Sequence, residues 1–162
     1  KKIEPQGQVS FGAGSSYTGN GWILVESTKQ LAGLAFCFTT QPLLHMADIT
    51  LIKETDTFLV VPHVAQNNEW DTTVYVCNPN DSNVALTIRF YETDGSLQQS
   101  TQKTLPANGS RSYRLRDIID GADQTEGSLE ISANKGVAAF ALYTNRKTGE
   151  YGYAGISAVD PF

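Results

Sequence analysis

Turn-forming residues recur along this chain, and the runs between them favour strands. Gly19-Asn20-Gly21, Asn67-Asn68, Asn78-Pro79-Asn80-Asp81, Asp94-Gly95, Asn108-Gly109 and Thr148-Gly149 punctuate it, and the runs between them are rich in Val, Ile, Thr, Tyr and Phe, which suit a pleated, half-buried surface. That spacing predicts an all-β chain, an antiparallel sandwich or barrel. The expected strands are residues 22–27, 31–39, 47–53, 57–64, 72–78, 85–93, 97–105, 110–115, 128–133, 137–144 and 152–159. Asp94-Gly95 is the clearest hairpin turn, because Gly accepts a positive φ without strain. Leu115 to Ile119 is the one segment that reads as helical, a turn or two ending at Gly121, with Ile118-Ile119 plugging one end of the core.

An internal similarity divides the chain. Placing Gly21 on Gly127 pairs Ile23 with Leu129 and Val25 with Ile131, and it carries Lys29 onto Lys135, Ala32 onto Ala138, Leu34 onto Phe140, Ala35 onto Ala141 and Phe36 onto Leu142. Shifted by one further residue, Ala47-Asp48-Ile49-Thr50 meets Ala154-Gly155-Ile156-Ser157. The period is about 105 residues, the size of one sandwich domain. Residues 57–162 are then one full repeat, and residues 1–56 are a half-repeat whose first half is missing. Half a sandwich leaves an apolar face and unpaired edges in water. Its cover comes either from later strands of the same chain or from strands supplied in trans by β-augmentation.

Val61-Pro62-His63-Val64-Ala65, Trp70 through Asn80, Ala85 through Tyr91 and Asp94-Gly95, followed by Pro106, Gly127 and Val137-Ala138-Ala139-Phe140, form an ordered set of motifs. It resembles repeats of bacterial secreted and surface proteins. The resemblance covers about residues 57–160 and implies immunoglobulin-like β-sandwiches in extracellular, multi-repeat proteins, with no catalytic residues to carry over. The fold expectation is therefore an antiparallel immunoglobulin-like β-sandwich with an extra half-repeat at the N-terminus.

Chemistry-bearing patterns are sparse. The net charge of −5 and the lack of a basic stripe argue against nucleic acid, and no apolar run is long enough to cross a bilayer as a helix. Charged residues make up only 18% of the chain, and the Ser, Thr, Asn, Gln and Gly surface that replaces them points to an extracellular or cell-surface setting. Cys37 and Cys77 lack metal-ligand spacing and are either two buried thiols or one disulfide. His63 reads as a hydrogen-bonded structural residue at a strand end, and His45 as a surface residue. Glu69, Asp71, Glu92 and Asp94 fall in turns or at strand ends, where a solvated carboxylate is the default rather than a glycosidase pair. No cofactor or metal site is expected. Trp22, Trp70, Tyr151 and Tyr153 are the candidate ligand-facing aromatics, with a glycan as their natural partner. Together these features predict a non-enzymatic structural or interaction module, a filament or surface-assembly subunit associating with itself or with neighbouring repeats. A carbohydrate-binding module is the alternative, and a hydrolase stands third.

Overall fold

The structure is a computed structural model that describes residues 2–10, 12, 21–39, 45–121, 123, 126–146 and 153–159. It is all-β and antiparallel. In chain order the strands are β1 (Leu34–Thr39), β2 (His45–Thr50), β3 (Asp56–Val61), β4 (Trp70–Cys77), β5 (Val84–Tyr91), β6 (Leu97–Leu105), β7 (Ser110–Arg114), β8 (Ser128–Asn145) and β9 (Tyr153–Ser157). A short helix, α1 (Leu115–Ile118), follows β7.

The 18-residue strand β8 organises the fold. Its first half lies between β5 and β3, with Ile131 opposite both Ile88 and Leu59. Its second half lies between β4 and β9, with Ala141 opposite both Val74 and Ile156. Beyond β5 lies β6, and beyond β4 lies β7, so each half of β8 belongs to a four-stranded layer. Leu129, Ile131, Val137, Ala139, Ala141 and Tyr143 all point inward. The period-two alternation therefore stays in phase along the whole strand. The inner faces of both halves contribute to one core with Val61, Val74, Val76, Leu86, Ile88, Phe90, Leu105 and Leu115, so the sheet is curled over itself. Val60 and Val159 exchange backbone hydrogen bonds of 2.8 and 3.0 Å and join the two halves on one side.

Two of the expected strands, residues 128–133 and 137–144, are thus one strand. Asn134-Lys135-Gly136 reads as a turn in sequence, but its polar groups are taken up along the crossing. Asn134 Oδ1 accepts the Ala85 N–H at 2.9 Å, and the Gly136 carbonyl accepts Asn80 Nδ2 at 2.8 Å. Gly136 is needed there, since a Cβ would sit 2.5 Å from Thr55 Oγ1. The expected strand at residues 22–27 is a second correction: that segment is irregular.

Local signals explain the turns. Gly95 has φ +83° between β5 and β6, with the Ser96 N–H on Asp94 Oδ1 at 2.9 Å. Asn78 is fully buried, and its carboxamide organises the Asn-Pro turn: Nδ2 donates to the Ser82 and Pro106 carbonyls at 2.9 Å each, and Oδ1 accepts from Asn80 N at 3.0 Å. These oxygens and amides are spent on backbone groups, so the turn itself accounts for the Asn-rich run. Ile118 and Ile119 close one end of the core at 4% and 5% exposure.

Candidate interaction surface

Among the described residues, none of the core residues comes from the first 56 positions. Conversely, nine of the eleven exposed large hydrophobics among the described residues lie there: Ile3, Val9, Ile23, Leu24, Val25, Leu31, Leu34, Leu51 and Ile52, the other two being Leu97 and Val159. This separation places the candidate site on the N-terminal segment.

The hairpin β1–β2 is a register copy of the hairpin formed by the second half of β8 and β9. Leu34 faces Thr50, Ala35 faces Ile49 and Phe36 faces Asp48. At the positions matched by the internal similarity, Phe140 faces Ser157, Ala141 faces Ile156 and Leu142 faces Gly155. The one-residue shift between the two parts of the sequence alignment is the shift that preserves this pairing.

Environment separates the two copies. Ile23 is 62% exposed where Leu129 is 0%, and Val25 is 43% exposed where Ile131 is 0%. Leu31, 46% exposed, matches Val137 at 0%, and exposed Ala35 matches Ala141 at 0%. Moving each of the three larger side chains Ile23, Val25 and Leu31 to its counterpart's burial would contribute on the order of 1 kcal/mol. The presence of partners explains which parts of the half-copy have formed. The first half of β8 is a strand because β5 and β3 hold both its edges. Residues 21–27 have neither partner among the described residues and remain irregular. β1 has the partner its counterpart finds in β9, namely β2, and it forms.

The half-copy meets the full unit at Gly155 and at Asn108, among other places. β2 runs against β9, close enough that a Cβ on Gly155 would lie 2.7 Å from the Asp48 carbonyl oxygen. Trp22 Nε1 donates to the Asn108 carbonyl at 3.1 Å.

The expected ligand-facing aromatics do not assemble. Trp22 is half-buried near Asn108, beside the end of β4 where Cys77 faces Ser110. Trp70 starts β4 at the other end, opposite Asn145 and packed against the core. Seven strand steps, about 23 Å, separate the two ends. Tyr151 lies outside the described residues; the backbone of Tyr153 faces Thr144 in β9, and its side chain lies outside them. Cys77 carries a half-buried free thiol whose pKa is pushed up by burial. The side chain of Cys37 is outside the described residues. His45 is in β2, its side chain likewise outside.

His63 is exposed just beyond β3. Its carbonyl accepts a hydrogen bond from the Tyr143 hydroxyl, and its Nδ1 lies 3.4 Å from that oxygen. This is the hydrogen-bonded structural role its sequence position predicts, although on the surface. Burial pushes the Tyr143 phenol up to about 12. One polar cluster was not visible in the sequence. On the outer face of β5 and β8, Arg89 pairs with Glu130 and donates to Ser132 Oγ at 3.0 Å, and the Tyr91 hydroxyl donates to Glu130 at 3.3 Å. Arg89, Tyr91, Glu130 and Ser132 alternate along their strands, and only the cross-strand register brings them together. Among the described residues no group of His, Cys, Asp and Glu is arranged to hold a metal ion.

A model of a family described as one of unknown function (DUF5719) matches residues 53–151. Among curated proteins none matches in sequence. A solved structure of Thermotoga maritima 1070 is similar to this chain with a TM-score of 0.58 at 14% identity, covering 65% of this chain and 94% of its own. Nearly all of one solved chain thus corresponds to about two thirds of this one, a likeness of fold alone. A solved Anabaena sensory rhodopsin transducer aligns at a TM-score of 0.45 and 22% identity, over 52% of this chain and 92% of its own.

Proposed function

The chain belongs to the DUF5719 family, and we propose that it is a non-catalytic structural or interaction module of the extracellular or cell-surface space, joined to like repeats by strand complementation. The observation that carries this reading is the contrast between the copies. The same apolar positions are closed over in the full unit and open to solvent in the half-copy. Monomeric proteins rarely leave such residues clustered without a partner. The immunoglobulin-like character of the repeat belongs to the same proposal, supported by the curled antiparallel sheet and its size. So does the extracellular setting, supported by the low charge and the abundant small polar residues.

Sedimentation velocity over a roughly hundredfold concentration range tests it, because association through this face is governed by mass action. The native chain is expected to sediment faster as concentration rises. Val25→Glu with Leu31→Glu, both at exposed positions whose counterparts Ile131 and Val137 are fully buried, is expected to hold it monomeric with the same circular dichroism spectrum. A native chain that stays monomeric throughout the range contradicts the proposal.

A further inference from the structure

In the complete unit the second half of β8 has β9 on one edge and β4 on the other. In the half-copy β1 has β2 on the edge that corresponds to β9, and the edge that corresponds to β4 has no partner strand among the described residues. The residues along it, Ala32, Gly33, Leu34 and Ala35, are exposed, while their counterparts Ala138, Ala139 and Ala141 are buried at 8%, 1% and 0%. We infer that the open edge of β1 binds the first-half strands of another repeat of this kind, with a strand of the β4 type lying antiparallel along Ala32–Thr39.

The existing pairing supplies the register. Val74 faces Ala141, Tyr75 faces Phe140 and Cys77 faces Ala138, so the incoming strand sets the equivalents of Val74, Tyr75 and Cys77 against Ala35, Leu34 and Ala32. The Tyr75 ring stacks on Phe140 with centroids 4.8 Å apart and planes 4° from parallel; in the docked edge that tyrosine covers Leu34. A β5-type strand arriving with it covers residues 21–27, just as β5 flanks residues 128–133. Gly21 then takes the place of Gly127, where a Cβ would come within 2.6 Å of the Phe90 ring.

The occupant is specific. In a second folded copy β4 is already flanked by β7 and β8, so a second copy can cover the exposed apolar residues with side chains but has no such strand to offer. The partner is a first half whose own closing hairpin is absent. This inference rests on the module reading but is narrower, because an apolar face can associate without this edge being used.

The test supplies strands of this kind. Residues 57–126 are duplicated and joined directly before Gly21, a junction that repeats the native step from Glu126 to Gly127. Amide exchange at residues 32–39 is expected to slow about 100-fold or more relative to the native chain. Ala35→Asp is expected to erase that gain while leaving the native chain unchanged. A second measurement does not need the duplicated half to fold. A peptide of residues 68–79 carrying Cys77→Ser is added to the native chain, and amide shifts are expected at residues 32–39. Protection in the duplicated chain that survives Ala35→Asp overturns the inference. So does unchanged exchange together with no peptide shift at residues 32–39. A native chain that self-associates yet gives these negative results retains the module reading and loses this one.

Discussion

Thr72→Val should be among the most damaging conservative changes in the protein. Thr72 lies in β4 and is fully buried. Its hydroxyl donates to the Ala65 carbonyl at 2.7 Å and accepts the Ala65 N–H at 3.0 Å, which fixes the loop after β3 against the sheet. Valine keeps the shape and the strand preference but strands both backbone groups of Ala65, itself only 5% exposed. At about 1–3 kcal/mol for each orphaned buried group, and with some relaxation, the loss comes to about 2–4 kcal/mol. For a unit of about 100 residues this lowers the melting temperature by roughly 10–25 °C. Urea unfolding followed by tryptophan fluorescence measures it as a lower midpoint at unchanged slope. Thr72→Ser, which retains the hydroxyl, should lose about 1 kcal/mol, the value of one buried methyl. A Thr72→Val protein within about 0.5 kcal/mol of the native chain refutes the reasoning, since that is the range of an ordinary surface substitution.

Gly127→Ala places a Cβ 2.6 Å from the Phe90 ring and 2.8 Å from the Tyr91 carbonyl oxygen; the overpacking should cost about 1–3 kcal/mol in the same urea assay. Tyr143, raised from 10.0 to about 12 in the fold, favours its neutral form there. Its contribution is therefore complete below pH 10 and is lost as pH rises toward 12. Thermal melts across that window should show a fall in stability that is smaller in Tyr143→Phe.

Much of the fold was legible because its signals are local. Asp94-Gly95 marked the β5–β6 hairpin through the one residue type that takes φ +83° freely. Strands β3 to β7 and the short helix before Gly121 follow from alternation and punctuation. The errors came where a distant partner decides. Residues 22–27 alternate as well as residues 128–133 do, but alternation only makes a strand possible, and ladder partners make it form. Asn134-Lys135-Gly136 resembles a turn, and its continuation as strand depends on Ala85 and Asn80, far away in the chain. Trp22 and Trp70 were visible as exposed-ring candidates, yet their placement at opposite ends of β4 follows only from the β4–β7 register and the Asn108 contact. The Arg89, Tyr91, Glu130 and Ser132 cluster has no sequence signal for the same reason. The internal similarity is the long-range signal the sequence does carry, since the β1–β2 register matches that of β8 with β9 at the aligned positions.

The central claim is that one closed unit and one unfinished copy share this chain. Residue-resolved amide exchange on the native chain in dilute solution tests it most directly. Amides of β4, β5 and β8 should exchange only through global unfolding, at least about 1,000-fold more slowly than those of β1 and residues 21–27, which open locally. Equal protection of β1, residues 21–27 and β8 under those conditions would show that the half-copy is already complete and would contradict the account.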